Sequence, residues 1–234
     1  LGDVYKRQAL LALAVMFTGC SAPAESESGA ALPDVVGSMD IRYAEQFSVD
    51  YLADGSALAE VADGRRYLII PDGGEVPEHL PEDVTVISQP ENIYLASSSS
   101  MDLFSSLDCL GDILASSTPE SGWKLPEIAQ AMADEDILYA GKYSSPDIEL
   151  LMSEGCDLAI ENMMIYHSPK TAEQIESCGI PVFIERSSAE SHPLGRLEWV
   201  RLYGLMLGKS DEAEKFFSEK CSLLDEVTSR ESTG

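Results

Sequence analysis

The chain has 234 residues and carries 15 basic against 41 acidic side chains, a formal net charge of −26. A chain this negative repels nucleic acid and anionic lipid headgroups, which excludes both as partners. The hydrophobic content of 44% over this length is enough to fill a core, so the composition also argues against disorder.

The first 20 residues have the pattern of processing and export sequence. Ala9–Phe17 is a continuous apolar run, too short for a membrane-spanning helix of roughly 20 residues, and it fits the hydrophobic region of an export signal. Thr18-Gly19-Cys20 follows and resembles a bacterial lipobox, in which the Cys thiol is acylated, although Phe17 stands where Leu is usual. We therefore expect Cys20 to carry a lipid that holds an extracytoplasmic protein at the cell membrane. Residues 1–8 resemble a translated sequencing adapter, so they carry no information about the fold.

The next 70 residues divide into two parts. Residues 21–40 are small, polar and rich in Pro, Gly and Ser, typical of a flexible tether. In residues 41–90, apolar and polar residues alternate around Val49, and Asp54-Gly55 and Asp63-Gly64 separate β-like runs. Because Asp-Gly between such runs predicts a hairpin, we expect a small antiparallel lead-in.

Residues 91–209 alternate between strand-like and helix-like segments. Strands are predicted at 93–96, 137–140, 157–160 and 181–184, and helices up to Leu110, over 125–133, from Pro146 to Glu154 and over 169–177. This alternation predicts an α/β lobe with a parallel sheet and helices on both faces. A last helix is predicted over 210–234, with Ser210 at its start and an apolar stripe at helical spacing.

With Cys20 acylated, four cysteines remain: Cys109, Cys156, Cys178 and Cys221. Cys156 and Cys178 each precede a predicted strand, so this pair is a candidate disulfide in an oxidising compartment, and buried free thiols are the alternative. No Cys-x-x-Cys pair and no Cys/His cluster has metal-ligand spacing, so we expect neither a metal site nor a cofactor.

A series of short motifs in residues 90–227 resembles one family in its order and spacing. The motifs are Ile93-Tyr-Leu-Ala-Ser-Ser, Leu107-Asp-Cys-Leu-Gly111, Ser145-Pro-Asp-Ile-Glu-Leu-Leu151, Gly155-Cys-Asp-Leu158, Ser177-Cys-Gly-Ile-Pro-Val182 and Ser191-His-Pro-Leu-Gly-Arg-Leu-Glu-Trp199 through Leu207-Gly-Lys209. The region is similar to the class III periplasmic solute-binding proteins, which deliver iron-siderophores, haem or cobalamin to ABC importers. The lead-in at 41–90 is longer than the family's, and a second lobe is absent from the chain.

The resemblance implies a function and a set of partners. It implies the first Rossmann-like lobe of a two-lobed protein, with 210–234 as the start of the interlobe helix and the chain as an N-terminal fragment. It also implies a monomeric binding protein, not an enzyme, that captures a small metal complex and passes it to a permease and its ATPase. Glu149 matches the family's glutamate that docks the first lobe onto a permease arginine. Which ligand is bound, among siderophore, haem, cobamide and smaller chelates, is left open.

Ligands of an open parallel sheet bind beyond the carboxyl ends of its strands. Four predicted loops lie there: 97–100, 141–144, 161–166 and 185–192. From these loops we predict the following ligand contacts: Ser97, Ser98, Ser99, Tyr143, Asn162, Tyr166, Ser187 and Glu190.

Other readings of the chain have less support. An exported hydrolase-like or chelatase-like lipoprotein would need a catalytic set, and the chain has no Gly-x-Ser-x-Gly motif and no assignable Ser/His/acid set. A surface lipoprotein that only sequesters haem is the third reading, but His167 and His192 have no paired spacing, and His192-Pro193 is better placed to cap a helix. Gly208-Lys209-Ser210 has Tyr203 where a phosphate-binding loop requires Gly.

Overall fold

The computed structural model describes residues 31–231, with side chains to residue 227. Its N-terminal part is a five-stranded sheet in the order β1-β2-β3-β4-β5. The strands are β1 Val35–Ser38, β2 Phe47–Leu52, β3 Ala57–Val61, β4 Arg66–Ile70 and β5 Val84–Ser88. The turns between β2 and β3 and between β3 and β4 contain Gly55 and Gly64, both at positive φ, as the two Asp-Gly pairs predict.

A second sheet is formed entirely of parallel strands in the order β12-β11-β6-β7-β8. Its strands are β6 Ile93–Leu95, β7 Ile113–Ser116, β8 Leu138–Tyr139, β11 Leu158–Asn162 and β12 Val182–Glu185. Between β8 and β11 the chain forms a two-stranded ladder of β9 Gly141–Lys142 and β10 Ser145–Pro146.

Helices cover both faces of the parallel sheet. They are α1 Met101–Ser106, α2 Pro126–Ala133, α3 Ile148–Ser153, α4 Pro169–Ser177, α5 Pro193–Met206 and α6 Ser210–Glu231. One apolar cluster joins one face of the sheet to α1, α2, α5 and α6 and extends into the N-terminal sheet. A second cluster joins the opposite face to α3 and α4. The predicted α/β class with helices on both faces is therefore confirmed.

The structure differs from the sequence prediction in six elements, two of which are the unpredicted strands β9 and β10. Residues 35–38, placed in the tether, form strand β1 on β2. β5 and β7 were not predicted, and β5 pairs parallel with β4, so the N-terminal section is not purely antiparallel. The helix expected from Pro146 starts at Ile148, because Pro146 is paired in β10 and the Asp147 carboxylate caps the helix by accepting from Leu150 N.

Two buried glutamates hold the segment 42–46 against α5. The Glu198 carboxylate accepts hydrogen bonds from the backbone N–H groups of residues 42, 43 and 44 at 2.7–2.9 Å. The Glu190 carboxylate accepts from the next two, 45 and 46, at 2.8 and 3.1 Å, and also from Trp199 Nε1 at 2.9 Å. We call this arrangement the glutamate clamp. It satisfies five successive N–H groups of a segment that has no strand or helix of its own.

Neighbouring residues of the same motif complete the clamp. A Cβ on Gly195 would lie 2.8 Å from the Tyr43 carbonyl oxygen, so only glycine lets the segment approach α5 this closely. His192 stacks on the Tyr43 ring, with centroids 4.9 Å apart, and its Nδ1 accepts from Leu194 N at the start of α5. The predicted capping role of His192 is thus confirmed.

Arg201 connects the clamp to the last helix. Its guanidinium pairs with Glu198 at 3.1 Å, donates to the Asp40 carbonyl at 2.6 Å and pairs with Glu214 of α6 at 2.8 Å. It also lies over the ring of Phe217. The position of α6 is therefore tied to the same contacts that hold the N-terminal segment.

The clamp leads to a stability prediction. Glu198→Gln would turn one acceptor into a donor facing backbone N–H groups, so we expect a loss of roughly 2–4 kcal/mol in the free energy of unfolding. Urea denaturation measures it. The matched control is Glu212→Gln, because the exposed Glu212 makes only a 3.8 Å surface pair with Lys209 and should change stability by less than about 0.5 kcal/mol. A Glu198→Gln variant as stable as this control would contradict the clamp.

Candidate ligand-binding edge

The carboxyl ends of all five parallel strands meet at one edge of the sheet, which we call the ligand edge. The segments that follow β6, β11 and β12 begin at Ala96, Met163 and Arg186. Because a parallel sheet directs every such segment to the same side, the four predicted loops lie together, as the sequence indicates. Ser117 and Thr118 after β7 also lie at this edge, and the sequence analysis missed them because β7 was not predicted.

A buried network of hydroxyls and one carboxylate lies beneath the ligand edge. Glu185, at the end of β12, accepts from Ser97 Oγ at 2.8 Å, from Ser99 Oγ at 3.3 Å and from Ser187 N at 2.6 Å. Ser100 Oγ lies 2.9 Å from the Tyr203 hydroxyl, whose pKa is raised well above its ordinary value by burial. These contacts fix the loop 97–100 to β12 and α5.

The predicted ligand contacts separate into exposed and buried groups. Ser98 and Ser99 are exposed, and Tyr143 and Asn162 are half-buried. Asn162 has little freedom to reach a ligand, since its Nδ2 donates to the Ala96 carbonyl at 3.2 Å and its Oδ1 accepts from Met164 N at 2.8 Å. It holds the segment after β11 in place.

Three predicted contacts need correction. Ser97 and Ser187 are buried and hold Glu185. Glu190 is also buried, and both of its carboxylate oxygens are taken by the glutamate clamp. A carboxylate in this position is inaccessible to a ligand. All three residues lie in loops at the carboxyl ends of the strands, as predicted. The sequence does not show which side chains of these loops point into the protein.

The N-terminal sheet reaches the ligand edge through Tyr166. This side chain is 43% exposed, and its hydroxyl donates to Asp63 in the turn between β3 and β4 and accepts from Arg186 Nη1 at 3.2 Å. Arg186 donates from Nε and Nη2 to Gln46 Oε1, both at 3.2 Å. Gln46 is the last residue of the clamped segment, so the clamp also sets the position of Arg186. Sequence patterns gave no indication of this long-range contact.

Glu149 lies in the first turn of α3 and is exposed. The helix starts next to the β9–β10 ladder, on the side of the sheet where the strands end. A carboxylate at the N-terminal turn of a helix is favoured by the helix dipole. Because Glu149 is exposed, an outside partner can reach its side chain.

One acidic side chain of the sheet has no hydrogen-bond donor among the described residues. Glu161, in β11, is fully buried, and neither carboxylate oxygen has a partner there. The Tyr94 hydroxyl, on the neighbouring strand β6 and on the same face, is equally buried and also lacks a partner in the described part of the chain. Desolvation raises the pKa of Glu161 to about 8 from 4.5.

This raised pKa makes the free energy of unfolding depend on pH. Below pH 4.5 the Glu161 carboxyl is protonated in both the folded and the unfolded chain. Between pH 4.5 and 8 the unfolded chain ionises and the folded chain does not, so stability is lost as the pH rises through this range. At pH 7 the loss is about 3 kcal/mol.

The test compares Glu161→Gln with wild type by urea denaturation from pH 5 to 9. We expect the variant to lose less stability over this range than wild type, with the difference levelling off above pH 8. Glu173→Gln is the control, because Glu173 is an exposed acid on α4. Parallel stability curves for all three proteins would contradict the assignment.

The described residues contain neither a metal cluster nor a disulfide. No group of three or more His, Cys, Asp or Glu side chains in residues 31–231 could hold a metal ion. Cys156 and Cys178 are free, as are the buried Cys109 and Cys221, so the structure has the free thiols and not the disulfide. Burial raises the pKa of the Cys156 thiol to about 11. Cys20 lies outside the described residues.

A groove of about 760 Å³ lies on the N-terminal sheet, away from the ligand edge, and is lined by acidic and small residues that include Asp54, Glu75 and Glu78. Within the described range, no helix combines the length and apolar character needed to cross a bilayer.

Comparison with known proteins gives one curated relative and several solved structures. No family model matches the chain. An uncharacterized lipoprotein of Methanocaldococcus jannaschii is 23% identical over 173 residues, covering 68% of this chain and 40% of that protein. This chain therefore spans less than half the length of that relative.

The solved structures are matched over about half their length. A periplasmic binding protein from Veillonella parvula has a TM-score of 0.50 and 17% identity, covering 66% of this chain and 52% of the other. An iron-uptake ABC transporter substrate-binding protein from Streptococcus pneumoniae has a TM-score of 0.49 and 13% identity, covering 62% and 49%. A periplasmic haem-binding protein from Pseudomonas aeruginosa has a TM-score of 0.48 and 17% identity, covering 60% and 46%.

At this level of identity the Veillonella match establishes the fold and not the ligand. The α/β chain, with its parallel sheet and helices on both faces, has the fold of a lobe of a periplasmic binding protein.

Proposed function

We propose that this chain is the first ligand-binding lobe of an extracytoplasmic solute-binding protein, not an enzyme, that delivers an iron-siderophore, haem or corrinoid complex to an ABC importer. The observation that carries the proposal is the ligand edge itself. The ends of five parallel strands open there in a lobe with the periplasmic-binding-protein fold, and a buried network holds its loops. Ser98, Ser99, Tyr143 and Tyr166 are the side chains we assign to ligand contact.

The other half of the ligand contacts would come from a second lobe. The matched structures extend over roughly twice the matched region, since 46–52% of each is covered. Pockets bury about 70–90% of a ligand's surface, and one open edge cannot do this alone. We therefore expect this lobe to bind its ligand weakly by itself and the longer protein to bind it tightly.

Glu149 would contact the permease, and the permease in turn would contact its ATPase. The side chain is exposed in the first turn of α3, beside the ligand edge. A carboxylate in this position can form two parallel hydrogen bonds with a permease guanidinium. An exposed charge pair of this kind acts mainly on association and orientation.

In the full-length protein, Glu149→Gln should therefore lower uptake while leaving ligand affinity unchanged. The measurements are ligand titration and ligand-stimulated ATP hydrolysis by the reconstituted importer at two salt concentrations. Glu154→Gln, an exposed acid at the other end of α3, is the matched control. If Glu149→Gln abolishes ligand binding in a folded protein, the residue lines the cleft. If neither quantity changes, it has no docking role.

Attachment to the membrane would depend on Cys20. The proposal rests on the lipobox-like Thr18-Gly19-Cys20 after an apolar run and is supported by the lipoprotein name of the curated relative. In cells, Cys20→Ala should move the protein from the membrane to the soluble fraction or block its processing. Cys109→Ala, which changes a buried thiol, is the control. Unchanged membrane attachment of the Cys20→Ala protein would remove the lipid-anchor proposal.

The alternative functions gain no support from the ligand edge. In the hydrolase-like or chelatase-like reading, a serine would need an imidazole base, but the partners of Ser97 Oγ are Glu185 and neighbouring serines. In the haem-sequestering reading a histidine would have to face the ligand. His192 Nδ1 is used in capping α5, so this reading would have to use His167, which is exposed in the turn after β11.

A further inference from the structure

The Glu161 carboxylate and the Tyr94 hydroxyl are two polar groups that have no hydrogen-bond partner among residues 31–231. Both side chains are fully buried on the sheet face that packs against α3 and α4. Strand register pairs Glu161 with Ile184 of β12, and on the other side Ala96, which follows β6, bonds to the Ile160 carbonyl next to Glu161. The surrounding cluster is apolar, and no described residue donates to the carboxylate. A charged carboxylate left unpaired in such a place is strongly disfavoured.

The segment that follows Glu161 in the chain is held to the rest of the lobe by hydrogen bonds of Asn162 and Tyr166 and by one buried side chain. Residues 162–168, which we call loop 162–168, contain the short helical turn Met163–His167. Only Ile165 is buried, in the same apolar cluster as Tyr94, while Met164 and Tyr166 are about half exposed. Two hydrogen bonds close the turn, Met164 N to Asn162 Oδ1 and Ser168 N to Ile165 O. Lifting Ile165 would open the apolar cluster that contains Tyr94.

We infer that Glu161 makes loop 162–168 a proton-controlled flap at the ligand edge, closed while the carboxyl is neutral and released when it ionises. The ionised carboxylate needs water or a donor, and the closed loop supplies neither. The neutral acid can remain beside the Tyr94 hydroxyl in the apolar cluster. Because the loop carries Tyr166, its opening would also remove a group assigned to ligand contact.

The groups around Glu161 do not provide a compensating charge. Tyr94 is the titratable group that interacts with Glu161, and Tyr94 is in turn close enough to Tyr139 and the Cys156 thiol to interact with them. The acids of the covering helices, including Glu149 on α3 and Glu173 on α4, are exposed. Burial alone raises the pKa of Glu161, which places its ionisation near pH 8.

The test is amide hydrogen exchange of the unliganded chain between pH 5 and 9, corrected for the intrinsic effect of pH. It compares the loop amides of Met164 and Ser168 with the core amide of Ala159, which bonds to the Pro181 carbonyl. We expect loop protection to fall by up to about tenfold for each pH unit up to pH 8 and then to level off. Carbon-13 NMR of the Glu161 carboxyl should give the same midpoint.

Two variants and one control decide the inference. Glu161→Gln and Glu161→Leu both remove the ionisation, so loop protection should become independent of pH in whichever variant folds, and Glu173→Gln should behave as wild type. A loop whose protection does not respond to pH, or responds only in parallel with Ala159, would overturn the inference. Titration of the Glu161 carboxyl near pH 4.5 would also overturn the inference, because it would show that a bound water or cation keeps the carboxylate charged. The experiment needs no ligand, so its failure leaves the proposed function standing.

Discussion

The hydrogen bonds from five backbone N–H groups to Glu190 and Glu198 are the contacts on which the rest of the structure depends. They join residues separated by about 150 positions in the chain, and they place the N-terminal sheet against β12 and α5. Tyr67 of that sheet then accepts from Ile184 N of β12, and Phe47 packs on Trp199. Arg201 extends the same set of contacts to α6. Without the clamp, a segment with no regular structure would leave several N–H groups buried and unsatisfied.

The lobe uses buried carboxyls in two opposite ways. Glu185, Glu190 and Glu198 each accept two or more hydrogen bonds, and each fixes a segment of backbone. Glu161 accepts none from the described residues, and desolvation favours its neutral form. The first three explain why the loops of the ligand edge are fixed. The last is the group through which we infer that protonation controls loop 162–168.

The sequence predicted the lobe well and its interior contacts poorly. Alternating apolar runs and Asp-Gly pairs gave the α/β class, the two turns and the helix over 169–177 correctly, because these features depend on local periodicity. β7 was missed because Ile113–Ser116 is short and ends in serines. The inward position of Glu190 could not be predicted, since its donors at 45 and 46 are far away in sequence. The His-Pro-Leu-Gly-Arg motif is evident in the sequence, but its packing against Tyr43 is visible only in three dimensions.

The most direct test of the account is to locate where this lobe binds its ligand. Backbone amide NMR of the chain would be followed during titration with a gallium-loaded siderophore, a zinc porphyrin and a cobamide, diamagnetic probes for the three proposed ligand classes. The account predicts weak binding of one of them, with shift changes concentrated at Ser98, Ser99, Tyr143 and Tyr166. Shift changes confined to the groove on the N-terminal sheet, or no binding of any probe by either this lobe or the full-length protein, would contradict it.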